Sequence, residues 1–182
     1  MTKKWGRGYD RTMNLAPTPQ LNGQIVHLAD GIKGVNQTIT AMRRLVNEGK
    51  TNLSVRQAAT QIAFLTPEKD QMAEAEAIFN FVRDSIRYVR DVHGVETLQT
   101  PAITLSTKMG DCDDQTTLLA SMLESIGYPT RFVVAGYMQP NFYEHVYMQA
   151  YINNNWIDMD ATEHYPIGWS PPNPVAIAYE AI

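Results

Sequence analysis

Met109-Gly110-Asp111-Cys112-Asp113-Asp114-Gln115-Thr116-Thr117-Leu118-Leu119-Ala120-Ser121-Met122-Leu123-Glu124-Ser125-Ile126-Gly127-Tyr128-Pro129-Thr130 is the stretch on which the reading of this chain turns. Its spacing predicts a helix over roughly 112–126. Asp111 can serve as N-cap, and Asp114 three residues on completes a capping-box-like pair. Cys112, Thr116, Leu119, Leu123 and Ile126 fall on one stripe, with Met122 beside it. Gly127 suits a left-handed helix end, and Pro129 follows it. Cys112, the only cysteine among 182 residues, thus stands in the first turn of an amphipathic helix. Partial positive charge at a helix start favours a thiolate there.

Downstream the pattern changes to strands. Thr130 to Tyr137, Tyr143–Ile152 and Trp156–Thr162 are rich in β-branched and aromatic residues, and Asn153-Asn154-Asn155 is a good turn sequence. If Ile152 and Asn155 flank a two-residue turn, His145 faces Thr162 and Asp160 is its diagonal neighbour. If Ala150 lies opposite Asn155, a four-residue turn puts His145 directly opposite Asp160. Both registers place the two side chains on one face, within about 5 to 8 Å. A three-residue loop would break this parity unless a bulge restored it. Asp158 shares the parity but lies nearer the turn.

A thiol, an imidazole and a carboxylate in this order carry nucleophilic chemistry: Cys112 as nucleophile, His145 as general base and later acid, Asp160 orienting the ring. Asp111, Asp113 and Asp114 oppose thiol ionisation, so a cation such as protonated His145 is needed beside the sulfur. The oxyanion hole would include the Cys112 backbone N–H, and Gln99 is the upstream side chain nominated to complete it.

Upstream, residues 36–46 read as a helix with Ile39, Met42, Leu45 and Val46 on one face, ended at Asn47-Glu48-Gly49-Lys50 by a left-handed Gly49. A second helix covers 54–65, with Ser54 as cap and Val55, Ala58, Ile62 and Leu65 spaced for burial. Thr66-Pro67-Glu68 is read as the start of a third, running to about Tyr88. Residues 91–108 read as a loop. Residues 1–24 carry no period and are expected to form an extended arm, and the proline-rich tail 166–182 is expected to be irregular. The domain is placed at 25–165, with its core at 70–165.

The formal charge of −4 and pI of about 5.5 argue against a nucleic-acid surface, and 44% hydrophobic residues allow a sizeable core. A lone cysteine excludes an internal disulfide and any multi-cysteine metal site. His27, His93 and His164 lack ligand-like spacing to one another. No signal-peptide core and no transmembrane run is seen, so a cytoplasmic or virion-associated protein without a membrane partner is expected.

Gly110-Asp111-Cys112-Asp113-Asp114, Leu118-Leu119-Ala120, Ile126-Gly127-Tyr128-Pro129-Thr130-Arg131, Phe132 to Tyr137, His145 and Trp156 to Thr162 occur in the order seen in the transglutaminase-like superfamily of papain-fold cysteine enzymes, which the chain resembles over about 70–165. That resemblance implies an α+β fold, a cysteine-bearing helix on an antiparallel sheet, with additional N-terminal helices. It implies Cys112, His145 and Asp160 as catalytic residues and Arg131 and Thr162 as structural supports. Ala161 stands where the family usually has proline, and Tyr147 where tryptophan is common. Ile86-Arg87-Tyr88-Val89, Asp91 and Leu98-Gln99-Thr100-Pro101 further resemble small transglutaminase-like proteins of tailed bacteriophages. The implied activity is amide hydrolysis or acyl transfer on a peptide or protein substrate. The competing reading is a virion structural or assembly protein that keeps the fold, its terminal arms contacting other virion proteins. The Asp-Cys-acid-Asp run also resembles calcium-dependent periplasmic proteases, in which case Asp113 and Asp114 could serve as calcium ligands; otherwise no cofactor is expected.

Overall fold

The computed structural model describes residues 31–91 and 97–182. The expected arm over 1–24, the start of the domain at 25, and His27 and His93 lie outside the described residues.

Helix α5 (Cys112–Ser125) is the centre of the molecule. Asp111 caps it as expected, its carboxylate accepting from the Asp113 and Asp114 N–H groups. The helix is buried on every side from Asp113 to Leu123, where its sequence suggested a single apolar stripe. Two of its small polar residues turn inward with their hydroxyls on main chain: Ser121 to Thr117 C=O at 2.7 Å and Thr116 to Val146 C=O at 3.3 Å. Gly127, at φ 100°, ends it in the left-handed region as anticipated.

One side of α5 is covered by four helices, α1 (Ile32–Gly49), α2 (Leu53–Ala63), α3 (Gln71–Ser85) and α4 (Pro101–Thr107). The chain departs here from several sequence expectations. Gly49 is helical and buried, not a left-handed cap; a Cβ there would meet the Ser121 Oγ at 2.5 Å and the Pro101 Cγ at 2.6 Å, so its role is close packing. Asn52, not Ser54, caps α2. Thr66-Pro67 makes a turn, closed by the Asp70 N–H on the Pro67 C=O, and Asp70 caps α3. Within the stretch expected to be loop, Thr100-Pro101 opens α4, with Thr100 as cap and Pro at the first turn.

The other side of α5 is covered by a four-stranded antiparallel sheet in the order β5-β4-β3-β6. Its strands are β3 (Thr130–Gly136), β4 (His145–Ile152), β5 (Asn155–Met159) and β6 (Ala176–Ala181). β6 corrects the expectation of an irregular tail. It pairs with β3 along Arg131↔Ala181 to Gly136↔Ala176, and the four upstream prolines all precede it. Phe132, Val134, Val146, Met148, Ala150, Ile152 and Met159 bury one sheet face against α5, joining Met42, Ile78, Phe79, Leu118, Leu119 and Leu123 in one core. On the opposite face Arg131 lies between the Trp156 and Tyr179 rings, at 4.3 and 4.4 Å, and bonds to Gln149 at 2.7 Å. Gln149 in turn bonds to Asp158 at 2.8 Å, which ties the two strands that must stay in register. Among the described residues, no helix is long and apolar enough to cross a membrane.

Ile152 pairs with Asn155, so Asn153 and Asn154 form a two-residue turn, with φ 48° and 67°. Positive φ at both positions is the primed hairpin geometry that matches strand twist, and asparagine tolerates it better than other non-glycine residues. Replacing Asn154 with glycine relieves the remaining cost. Asn154→Gly should stabilise the protein by about 0.5 kcal/mol, read as a higher denaturant midpoint with an unchanged m-value.

Two further strands are only two residues long. β1 (Arg87–Tyr88) pairs in parallel with β2 (Met109–Gly110), Tyr88 lying across from Gly110. The chain leaves α3 at Ser85 and is extended from Ile86, where Gln115 Nε2 of α5 bonds the Ile86 C=O at 3.1 Å. The third helix therefore stops short of the expected Tyr88, because Ile86–Tyr88 is recruited to flank the start of α5.

Candidate active site

The hairpin register decides where the imidazole and the carboxylate meet. Met148 pairs with Met159, so one further step sets Asp160 level with Tyr147, on the face that also carries His145. The diagonal pairing anticipated for a two-residue turn is the one formed. His145 Nε2 and Asp160 Oδ2 are 2.7 Å apart. Asp160 is 1% exposed, and its second oxygen accepts from the Thr162 N–H at 3.0 Å and the Thr162 hydroxyl at 2.6 Å. Burial pushes the Asp160 carboxyl up, but the bonds from His145 and Thr162 outweigh burial and hold it below the ordinary value. It is therefore ionised at neutral pH and fixes which ring nitrogen faces it, leaving Nδ1 as the nitrogen available for proton exchange. The His145 ring also stacks on Tyr147, at 6.0 Å between centroids.

Cys112 reaches the same place from the helix side. The Val146 main chain lies beside its sulfur, and the Val146 C=O accepts from the Thr116 hydroxyl one turn along α5 at 3.3 Å. That bond ties the start of the helix to the residue that follows His145. The thiol itself is half-buried and donates to the Asp113 carboxylate at 3.6 Å. No hydrogen bond joins the sulfur to the His145 ring in this arrangement. Burial first, then the charges of Asp113 and Asp111, push the thiol pKa far above its ordinary value, and the Val146 main chain is too weak a counterweight. The sequence expectation that the acids oppose ionisation holds. The resting group is a thiol, not a preformed thiolate.

Asp111 uses its carboxylate on the N–H groups of Asp113 and Asp114, leaving that of Cys112 uncapped by it. Gln99 is placed differently from its expected role. Its Nε2 donates to Asp114 Oδ2 at 2.7 Å and to the Met109 C=O at 3.3 Å, and its backbone N–H donates to Asp114 Oδ1 at 2.7 Å. Both amide hydrogens are thus engaged in fastening the segment before α4 to the helix start. Both Asp114 oxygens are engaged with them. Asp113 and Asp114 are buried, and no group of three acidic, histidine or cysteine side chains converges as a cation cage among the described residues. The donor set as arranged does not fit calcium.

Burial pushes the Asp111 carboxyl up to about 7, the nearby Asp114 charge adds to this, and the two backbone N–H bonds only partly offset it. The unfolded chain releases this proton more readily, near the ordinary carboxylate range. Its folded pKa is thus the raised one. Stability is undiminished below about pH 4, falls as pH rises toward 7, and then stays level. Asn is an equally good cap without the charge. Asp111→Asn should therefore gain on the order of 2 kcal/mol at pH 7.5 and little at pH 4, measured as urea midpoints at both pH values. The same change removes one of the charges that suppress thiol ionisation, so Cys112 should alkylate faster at pH 7.5.

The sequence profile of the transglutaminase-like superfamily matches residues 56–161. The chain belongs to this superfamily. The fold that the resemblance implied is the fold observed: helices and an antiparallel sheet, with the cysteine at the start of the central helix. Among curated proteins, none matches the chain in sequence. A candidate cysteine protease from Cytophaga hutchinsonii is similar in structure, with a TM-score of 0.51 over 69% of this chain at 18% identity. A candidate protease from Parabacteroides distasonis gives a TM-score of 0.58 over 71% of this chain at 10% identity. The matched region spans 42% of the first protein and 26% of the second. At these identities the likeness concerns the fold.

Proposed function

We propose that this protein is a cysteine-nucleophile amide hydrolase or acyl transferase acting through Cys112, His145 and Asp160. The observation that carries the proposal is the buried 2.7 Å His145–Asp160 pair, on a strand that the Thr116 hydroxyl bonds at Val146 one turn after the only cysteine. A buried carboxylate, itself held by the Thr162 N–H and hydroxyl, is the support that orients a general-base imidazole.

The protonated thiol dictates the order of events. Cys112 turns from Asp113 to the imidazole and gives its proton to His145 Nδ1 as sulfur attacks the carbonyl carbon. A C–S bond forms and the carbonyl electron pair moves to oxygen, beside the Cys112 N–H. Collapse breaks the C–N bond, and His145 returns the proton to the leaving amine. Asp160 steadies the imidazolium between these steps. Water or an amine then attacks the thioester, losing its proton to His145 and restoring the thiol. Water gives hydrolysis and an amine gives cross-linking; site access chooses between them. A peptide or protein is the substrate class that fits an amide carbonyl presented to a half-buried sulfur.

The test needs no natural substrate. p-Nitrophenyl acetate should give a burst of nitrophenolate and a transient acetyl adduct on Cys112, seen by intact-mass and peptide mapping. Cys112→Ala should give neither. A wild-type protein with no adduct on Cys112, or with release no faster than Cys112→Ala, would refute the proposal.

A further inference from the structure

Gln115 of α5 is 1% exposed, and its Nε2 donates to the Ile86 C=O at 3.1 Å. Its Oε1 has no hydrogen-bond partner among the described residues. A buried amide oxygen in that state costs free energy until a donor reaches it. A donor can come from the cleft of about 310 Å³ that Gln115 lines.

The charges around this cleft do not cancel. Arg83 and Asp84 in its wall are joined by two bonds, Nε to Oδ1 at 2.7 Å and Nη2 to Oδ2 at 2.9 Å, and His164 Nδ1 lies 3.7 Å from the same carboxylate. Asp84 is thereby compensated from within the wall. Arg87, also in the wall, is not: among the described residues its guanidinium has the Met109 sulfur as acceptor, at 2.8 Å, and no carboxylate. A thioether is a weak acceptor, which a carboxylate taking both arms of the guanidinium fork readily displaces. Arg87 directly follows the residue that Gln115 bonds, so the uncompensated cation and the unpartnered acceptor border one small volume.

We propose that this cleft binds a free peptide C-terminus, Arg87 taking the terminal carboxylate and Gln115 Oε1 accepting from the amide N–H of the terminal residue. In such a residue the amide nitrogen and the carboxylate carbon are two bonds apart, so one end group supplies anion and donor together. An internal peptide brings the donor without the charge, and inorganic phosphate brings the charge without the amide. The volume lies at the small end of ligand pockets and suits a chain end of about two residues. Thr162, which holds Asp160, is in the wall as well, but Cys112 and His145 are not. Recognition here therefore does not require an active thiol.

Calorimetric titration of the full chain with N-acetyl-L-alanyl-L-alanine tests the site, in wild type and in Cys112→Ala. Both should bind the peptide equally, so a failure of the thiol chemistry would leave this result untouched. The C-terminal amide of the same peptide, which lacks the charge, should bind roughly tenfold more weakly or worse. So should the depsipeptide N-acetyl-L-alanyl-L-lactate, in which an ester oxygen replaces the N–H. Arg87 is exposed and its own N–H bond to the Lys108 C=O is main chain, so Arg87→Gln should keep the melting temperature of wild type. It should bring the affinity for the peptide acid down to that for the amide. In proton–nitrogen spectra the Gln115 side-chain amide should shift as the acid is added. No binding, equal affinity for acid and amide, equal affinity for peptide and depsipeptide, or an unchanged affinity in Arg87→Gln would overturn the assignment. Inorganic phosphate binding as tightly as the peptide would overturn it too, since the cation alone would then account for the affinity.

Discussion

Acetylation of Cys112 by p-nitrophenyl acetate should fall by roughly a thousandfold in His145→Ala, a loss typical of removing a positioned general base. The size of the effect follows from the resting thiol. Burial, Asp113 and Asp111 all hold the proton on sulfur. Asp113 accepts from the thiol at rest, and the proposed mechanism assigns the imidazole to take that proton during attack. An enzyme with a preformed thiolate would lose less at high pH, because its sulfur would already be charged. Here the loss should persist to pH 8 and close only as hydroxide begins to ionise the thiol directly. Asp160→Asn should cost less, roughly tenfold to a hundredfold, since the ring stays stacked on Tyr147 but loses its anionic partner. The pair should also be non-additive: with His145 absent, Asp160→Asn should change little. Pre-steady-state burst rates of the two single variants and the double variant check all three statements. A double variant slower than His145→Ala by the full single-site factor would mean that Asp160 acts independently of the ring.

Gly136→Ala should be the most damaging conservative substitution in the sheet. A Cβ at Gly136 would stand 1.7 Å from the Phe142 carbonyl oxygen, which is main chain and has no rotamer to yield. Gly136 is also held on its other side, where its C=O accepts from the Val175 N–H at 2.8 Å and it pairs with Ala176. Either β6 or the 137–144 connection must move. The expected cost is about 3 kcal/mol, or roughly 10 °C in melting temperature. Because the connection leads directly into His145, burst acetylation should slow as well. Gly127→Ala provides the comparison. Its Cβ would meet open space, so only the φ of 100° is penalised, at about 1 kcal/mol, and the site is untouched. Paired thermal melts and burst assays of the two variants would show the difference; equal losses of stability would mean the Phe142 carbonyl is free to shift.

Much of the site was legible because it depends on short-range physics. An aspartate cap and three helix-favouring turns announce α5 without help from the rest of the chain. Two asparagines at positive φ make a tight turn, and strict alternation along strands then forces His145 and Asp160 onto one face. Local signals misled where two outcomes share one sequence. Thr66-Pro67 and Thr100-Pro101 carry the same signature; the first makes a turn and the second a helix. After the first, Asp70 and not Thr66 caps the helix that follows; after the second, Thr100 itself is the cap. Cys112 was read as primed by a cationic ring, yet the nearest acceptor for its proton is Asp113, a choice made by burial depth and not by residue type.

The chain's own order of residues thus determined the cysteine-bearing helix, the turn, and the parity that joins imidazole to carboxylate, since each is settled within a few neighbouring peptide units. Three things were left to the tertiary structure: the pairing of β6 with β3, the capture of Gln99 by Asp114, and the clamping of Tyr88 beside Gly110. Each joins segments distant in sequence or depends on which groups lose water. Loop closure and desolvation set their free energies, and neither is written in local periodicity.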